Sequence, residues 1–187
     1  MKEEENKVVY GKLGEREELQ VVGIVDASFK PDEKAIAGMI IILANKDMTK
    51  ASPLMWKAKQ IDRVSHSSKD AETLAMSRMI DELVYMSNLV EILLYGNYQK
   101  RMTVRIITDS EPTLESIAST KQIDRKQLRV LVSEMKDKLT DGEITSYQWV
   151  STKDIWADEL TKERPMSEGV RKLLKEGTCN MGQKEEN

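Results

Sequence analysis

Several features that mark particular classes of protein are scarce or missing in this sequence of 187 residues. The chain has a single cysteine, Cys179, and therefore no framework of disulfide bonds. No apolar run approaches the roughly 20 residues that a membrane-spanning helix needs. The N-terminal residues 1–5 are mostly charged, where a signal peptide would be apolar. We therefore expect a reduced, intracellular protein without a membrane segment.

An excess of positive charge is also missing. The net charge is −3, from 29 lysines and arginines against 32 aspartates and glutamates, which counts against a strongly basic nucleic-acid-binding protein. Residues 121–138 are an exception, because they carry six basic side chains against three acidic ones. This basic segment is either a solvated helix face or a surface that faces phosphate groups.

The length suits one domain with tails better than two domains. We expect a domain over residues 20–165, after a charged linker or arm at 1–19 and before a short C-terminal helix and polar tail at 166–187. The apolar patterns predict strands at about 20–29, 35–43, 54–59, 104–108 and 144–150. They predict helices at about 69–95, 110–118, 124–139, around 157–160 and at 167–174.

The central element is the strand at 20–29, whose near-continuous Val and Ile residues are typical of a strand buried on both faces. Tight turns lead from it to two further strands, which we expect to be antiparallel. A long helix then leads to the strand at 104–108, and such a crossover predicts parallel pairing with the central strand. The result is an α/β fold with a mixed five-stranded sheet, in the order 3-2-1-4-5, flanked by helices. Trp56 and Trp149 fall on strands and are interpreted as core residues in preference to platforms on which bases stack.

Four acidic residues stand out against this framework. Asp26 and Asp109 each end a strand, and the ends of neighbouring parallel strands meet at one edge of a sheet. Glu72 lies one helical turn before Met76, the first residue of the apolar stripe on the long helix. Asp158 lies in a helix that we expect to be capped by residues 151–154. Alone, each acid has a simpler interpretation, as a turn residue or as a partner of the helix dipole.

Together, four carboxylates at one edge would repel one another strongly unless cations held them. An all-oxygen ligand set, without histidine or cysteine, favours Mg²⁺ or Mn²⁺ over zinc. Two such ions about 4 Å apart suit in-line attack on a phosphodiester. The sole histidine, His66, is interpreted as a surface residue.

Four stretches resemble the ribonuclease H domains of retrotransposon reverse transcriptases. They read Val-Asp-Ala-Ser at 25–28, Ser-Ser-Lys-Asp-Ala-Glu at 67–72, Ile-Thr-Asp-Ser at 107–110 and Ser-Thr-Lys-Asp-Ile-Trp-Ala-Asp-Glu-Leu-Thr-Lys at 151–162. The last stretch is similar to the copia type in particular. Residues 151–153 occupy the place where cellular ribonucleases H carry a histidine-bearing loop. This sequence lacks the histidine there, and copia-type domains lack it as well.

The resemblance implies a Mg²⁺-dependent ribonuclease H that hydrolyses the RNA strand of RNA–DNA hybrids with two ions. The four acids Asp26, Glu72, Asp109 and Asp158 would be catalytic metal ligands, with Asp26 and Asp109 shared between the ions. Candidate substrate-binding residues outside the acids are Ser28, Ser110, Arg125, Lys126 and Arg129.

The implied partners are the hybrid and an upstream reverse transcriptase polymerase domain, in the cytoplasm or in retroelement particles, with the nucleus left open. Two alternatives remain at the level of sequence. One is a non-catalytic, degenerate or domesticated domain that binds nucleic acid or protein. The other is a nuclease of the same fold that cuts DNA.

Overall fold

The elements of the fold follow the predicted order. The computed structural model describes residues 7–100, 102–121, 123, 125–162, 165–179 and 181. The strands in this part of the chain are β1 Leu19–Ser28, β2 Ile36–Asn45, β3 Ala51–Gln60, β4 Thr103–Thr108 and β5 Ser146–Trp149. The α-helices are α1 Ser68–Tyr95, α2 Glu111–Ala118, α3 Lys126–Thr140, α4 Asp158–Thr161 and α5 Glu168–Glu176, and a short 3₁₀-helix at Arg16–Glu18 precedes β1. Asp124, the predicted start of α3, and the predicted chain ends at 1–6 and 182–187 lie outside the described residues.

The strands form one mixed sheet in the order β3-β2-β1-β4-β5, as predicted. β1 pairs antiparallel with β2, and β2 pairs antiparallel with β3. β4 lies parallel to β1 on its other side, and β5 lies parallel to β4. The crossover through α1 therefore places the ends of β1 and β4 at the same edge of the sheet.

Two apolar cores, one on each face, hold the sheet between layers of helices. Val21 and Val25 of β1 point into the first core, together with buried side chains of α1 and α3. Val22 and Ile24 point to the opposite face, which α4 and α5 cover. Because side chains alternate along a strand, Asp26 belongs to the face of Val22 and Ile24.

The ends of α1 are set by local interactions. The Ser67 hydroxyl caps the helix by accepting a hydrogen bond of 3.1 Å from the amide of Asp70. Gly96 ends the helix in the left-handed conformation, with φ of 76°, which glycine adopts without strain. The predicted stripe is buried on the sheet at Met76, Met79, Leu83 and Val90, and Met86 is partly buried.

Two predictions about the last third of the chain are wrong. Residues 151–154 form turns and do not cap α4, which begins only at Asp158 and has no side-chain cap. Cys179 does not lie in a polar tail, because it is 1% exposed in the second core, and its amide donates to the Thr49 carbonyl over 2.9 Å. The tertiary contacts of α5 with β3, which local patterns do not reveal, bring this segment onto the sheet.

The interpretation of two tryptophans as core residues is also wrong. Trp56 is 55% exposed and Trp149 is 53% exposed, because both lie on the outer strands of the sheet, where one side of the strand has no neighbour. Trp156, by contrast, is buried two residues before α4 and packs against Gly169. None of the helices in the described ranges combines the length and the apolar character needed to cross a membrane.

Candidate active site

Three of the four predicted acids come together at one edge of the sheet. A carboxylate oxygen of Asp26, one of Glu72 and one of Asp109 all lie within 4.8 Å of one another. Asp26 is buried within β1, whereas Asp109 directly follows β4 and Glu72 is in the second turn of α1. Three segments that are far apart in sequence therefore supply one carboxylate each.

The register of the parallel strands explains why two of these acids meet. Ile24 of β1 pairs with Ile107 of β4, and continuing this register by two residues places Asp26 beside Asp109. Glu72 reaches the same point from the helix layer, where the backbone amide of Ala27 donates a hydrogen bond to its carboxylate. The cluster thus lies where the sheet edge meets the start of α1.

Asp158, the fourth predicted ligand, is buried near the cluster but is not one of the three grouped carboxylates. It is 3% exposed, and its Oδ1 pairs with the ammonium group of Lys162, the residue that directly follows α4. It is close enough to raise the pKa of Asp26. Its role as a metal ligand stays a prediction.

Two residues that the sequence analysis did not select, Thr161 and Lys162, contribute to the site. The Thr161 hydroxyl donates a hydrogen bond of 2.5 Å to Oδ2 of Asp26. Lys162 acts electrostatically on Asp26 and Glu72, whose pKa values its positive charge lowers. Their spacing of three and four residues from Asp158 was the available signal, because such residues share one helix face.

Gly38 was also missed, although it decides how closely α4 approaches. It lies opposite Asp26 in the pairing of β1 with β2. A Cβ atom there would come within 2.5 Å of the Ala157 carbonyl oxygen and 2.7 Å of Cγ2 of Thr161. Only a glycine allows this contact between strand and helix. The sequence offers no signal for it beyond a glycine within a strand.

Burial and repulsion by neighbouring carboxylates favour the protonated forms of Glu72 and Asp26. Burial, followed by the charges of Asp26 and Asp109, raises the pKa of Glu72 to about 9. Burial also raises the pKa of Asp26, which Asp109 and Asp158 raise further, while Thr161 and Lys162 oppose the increase. Two acids that resist ionisation beside a third carboxylate, that of Asp109, form a site whose charge is suited to bound cations.

The residues present fit divalent cations that prefer oxygen ligands. The group consists only of carboxylates, and the sole histidine of the chain, His66, is exposed and outside it. Hard cations such as Mg²⁺ and Mn²⁺ take such ligands.

The predicted serine contacts differ in their surroundings. Ser28 ends β1 and is partly exposed. The Ser110 hydroxyl is buried and lies 2.9 Å from Oγ1 of Thr113, which lies 3.5 Å from Oγ1 of Thr73. This chain of hydroxyl groups ties the residue after Asp109 to α1 and α2. Substrate contacts by either serine stay predictions.

The predicted basic contacts lie at the start of α3, beside the start of α1. Arg125 pairs with the nearly buried carboxylate of Asp70, which also accepts a hydrogen bond from the amide of His66. Lys126 is exposed, and Nε of the exposed Arg129 donates to the Ile123 carbonyl oxygen. Asp70 and Glu72 are two residues apart in α1, a spacing at which side chains point to different sides of a helix. The contact of this basic surface with substrate stays a prediction.

The fold is similar to that of solved ribonucleases H. A ribonuclease H1 from the archaeon Halobacterium salinarum superposes with a TM-score of 0.57 at 14% identity, over 77% of this chain and 96% of that one. LC11-RNase H1, isolated from compost by a metagenomic approach and solved with an RNA/DNA hybrid, gives 0.55 at 14% identity, over 77% and 95%. An N-terminal RNase H domain from Mycobacterium tuberculosis, solved as a fusion with maltose-binding protein, gives 0.52 at 15% identity, over 78% and 92%.

No protein-family model matches the chain, and no curated protein matches it in sequence. At these identities the likeness establishes the fold alone. The chain has a ribonuclease H-like α/β fold with the predicted sheet order 3-2-1-4-5.

Proposed function

We propose that this protein is a metal-dependent ribonuclease H that hydrolyses the RNA strand of RNA–DNA hybrids. The observation that carries the proposal is the cluster of Asp26, Glu72 and Asp109, three carboxylates within 4.8 Å on a ribonuclease H-like fold. A degenerate domain has no need to keep three mutually repelling acids together at a sheet edge, where they oppose folding. A cation-dependent reaction explains why they are there.

The position of each side chain in the site suggests its role. Asp26 and Asp109, side by side at the strand ends, would be shared between two Mg²⁺ or Mn²⁺ ions, with Glu72 and Asp158 as the outer ligands. When bound, the ions would supply an activated water and a positive charge for the leaving oxygen. Thr161 donates to Oδ2 of Asp26 and thereby restrains this carboxylate. Lys162 holds Asp158, so a ligand role for Asp158 requires this ion pair to loosen or to be shared.

A hybrid substrate suits the surface around the cluster. LC11-RNase H1, which shares this fold, was solved with an RNA/DNA hybrid. Lys126 and Arg129 at the start of α3 would contact phosphates beside the cleaved strand, and Ser28, two residues after Asp26, would contact the substrate backbone. Selection of RNA would come from groove shape and from 2′-hydroxyl contacts, because A-form helices hide their base edges in a deep groove.

The copia-like stretch at 151–162 supports a narrower proposal, namely that the domain serves a retroelement reverse transcriptase. It would then act beside an upstream polymerase domain, inside the cell or in retroelement particles. A polymerase domain that holds the same hybrid would raise its effective concentration at this site. This compensates for the negative net charge, which gives little long-range attraction to a polyanion.

The decisive experiment compares three substrates with the wild-type protein and with Asp109→Asn. An RNA–DNA hybrid, duplex DNA and duplex RNA, each labelled on either strand, are incubated with Mg²⁺, Mn²⁺ or EDTA. We expect cleavage of the RNA strand of the hybrid alone, dependent on the cation and absent in Asp109→Asn. Cleavage of DNA would favour a DNA nuclease. Binding without cleavage under every cation would favour a non-catalytic scaffold.

A further inference from the structure

Trp149 exposes a large aromatic surface beside the acidic cluster. It is the last residue of β5 and is 53% exposed, whereas the next residue, Val150, is 5% exposed. Trp156, by contrast, is buried in the second core. A half-exposed indole gains only part of the free energy that full burial of its apolar surface would supply. Such exposure beside a candidate active site points to a ligand.

The orientation of the ring is fixed by one hydrogen bond. Nε1 of Trp149 donates to the backbone carbonyl oxygen of Asp109 over 3.2 Å. This group is the only donor of the indole, so the ring has no further polar requirement and presents an apolar π surface to solvent. Asp109 also contributes a carboxylate to the cluster, so the ring is hydrogen-bonded to the backbone of a candidate metal ligand.

We propose that the exposed face of Trp149 packs against the nucleotide next to the cleaved phosphodiester. This inference rests on the proposed function, since it assigns a specificity contact to the same site. Aromatic faces bind nucleotides of any sequence, because every base has a π face and every sugar an apolar edge. A ring held in place before binding loses little conformational freedom on contact, which favours affinity. Trp149 would therefore position the strand without reading its sequence.

The chain offers a matched control in Trp56. It is 55% exposed, almost the same as Trp149, but it lies on β3, the outer strand on the other side of the sheet from β5. Removing either ring deletes a similar exposed aromatic surface from an edge strand. Only Trp149 adjoins Asp109, so only its removal is expected to affect substrate.

The test measures hybrid affinity by anisotropy in an Asp109→Asn background, where no hydrolysis is expected, and turnover in the wild-type background. Trp149→Ala is expected to weaken binding about fivefold or more, which is the range that aromatic–base contacts reach. It should raise KM by a similar factor and leave kcat within about threefold. Trp149→Phe, which keeps a ring but loses the N–H group, should retain most of the affinity. Trp56→Ala should match the parent protein.

Two results would overturn the inference. Equal affinity in Trp149→Ala and its parent would show that the ring does not touch the substrate. A loss of kcat in both Trp149→Ala and Trp149→Phe, at unchanged affinity, would show that the indole only orients Asp109. Should the alanine variant fold poorly by circular dichroism, Trp149→Leu provides a bulky apolar side chain without a ring, and the same comparison with Trp149→Phe applies.

The experiment separates this inference from the proposed function. A wild-type protein that binds the hybrid but never cleaves it contradicts the proposed function, while the effect of Trp149→Ala on binding still decides the contact. The same binding measurements are made with duplex DNA and single-stranded DNA. A parent protein that binds none of the three nucleic acids overturns both proposals.

Discussion

Gly38 lies directly opposite Asp26 in the antiparallel pair of β1 and β2, and its missing side chain is what lets α4 reach Asp26. The carbonyl oxygen of Ala157 occupies the space that a Cβ atom at Gly38 would fill. This close approach brings Thr161 to within 2.5 Å of Asp26 and keeps Asp158 near it. A four-residue helix without a side-chain cap is thus positioned by a strand rather than by its own ends.

Gly38→Ala is therefore expected to move α4 away from β1, because the obstructing atom belongs to backbone that cannot rotate aside. The rate of hybrid cleavage should fall at least about tenfold. The free energy of unfolding should fall by about 1–3 kcal/mol, as at other overpacked sites. Gly23→Ala is the matched control on the same sheet. A Cβ at Gly23 would meet Sδ of Met79 at 2.6 Å, and this flexible side chain can shift. Equal activity in the two variants would show that the approach of α4 does not matter.

The raised pKa values predict how stability depends on pH in the absence of metal. A carboxyl whose pKa is higher in the folded state binds more protons there, so its contribution to stability is full at low pH and declines as pH rises. For Glu72 this window runs from its ordinary pKa of 4.5 to about 9. We expect the Tm in EDTA to decline across this window and to decline less in Glu72→Gln. Millimolar Mg²⁺ or Mn²⁺ should raise the Tm most at high pH, because the ions bind the ionised acids of the native state.

Glu72→Gln also tests whether this residue belongs to the site. If Glu72 is a metal ligand, Glu72→Gln should lower the rate of hydrolysis by orders of magnitude, because the cation loses a charged ligand. If Glu72 is only a partner of the helix dipole, the substitution should leave activity intact and change the free energy of unfolding by only a few tenths of a kcal/mol. Asp81→Asn removes an exposed acid from the same helix and serves as the control. Identical pH profiles and activities in wild type and Glu72→Gln would remove Glu72 from the site.

Thr161→Val should weaken binding of Mg²⁺, measured by calorimetry, while keeping the shape of the side chain. The hydroxyl donates to a carboxylate, and hydrogen bonds to charged groups contribute about 1.5–3 kcal/mol, so a loss of roughly tenfold or more is expected. Without this donor the pKa of Asp26 rises further, so the loss should be greatest at low pH. Thr161→Ser keeps the hydroxyl and should bind the ion nearly as well as wild type. If serine and valine behave alike, Thr161 does not hold Asp26 for metal.

The basic residues of α3 need to be tested separately. Lys126→Ala combined with Arg129→Ala should weaken hybrid affinity and flatten its dependence on salt, since each lost phosphate contact reduces the slope by about one. Arg125→Ala is a different experiment, because it leaves the nearly buried Asp70 without its ion-pair partner and should lower stability. Lys46→Ala with Lys50→Ala, in the turn at the far end of the sheet, is the charge-matched control. An unchanged slope in the α3 variant would show that this surface is only solvated.

Much of the fold was determined by interactions between residues close in sequence. The apolar run of β1, the stripe of α1 and its Ser67 cap follow from side-chain periodicity and from hydrogen bonds over a few residues. The handedness rule for crossovers then places β4 parallel to β1, and with it Asp109 beside Asp26. For this reason the sheet order and the meeting of three acids were predictable.

The tertiary structure alone decided what surrounds those acids. The contact of Ala157 with Gly38 and the hydrogen bond from Thr161 to Asp26 depend on how closely separate elements approach, and the pairing of Asp158 with Lys162 depends on the side-chain conformations. The exposure of Trp149 depends on how far neighbouring side chains cover its indole, which the alternating pattern of β5 does not encode. Periodicity reports which face of an element is apolar, whereas packing decides how closely two elements approach and which side chains remain in solvent.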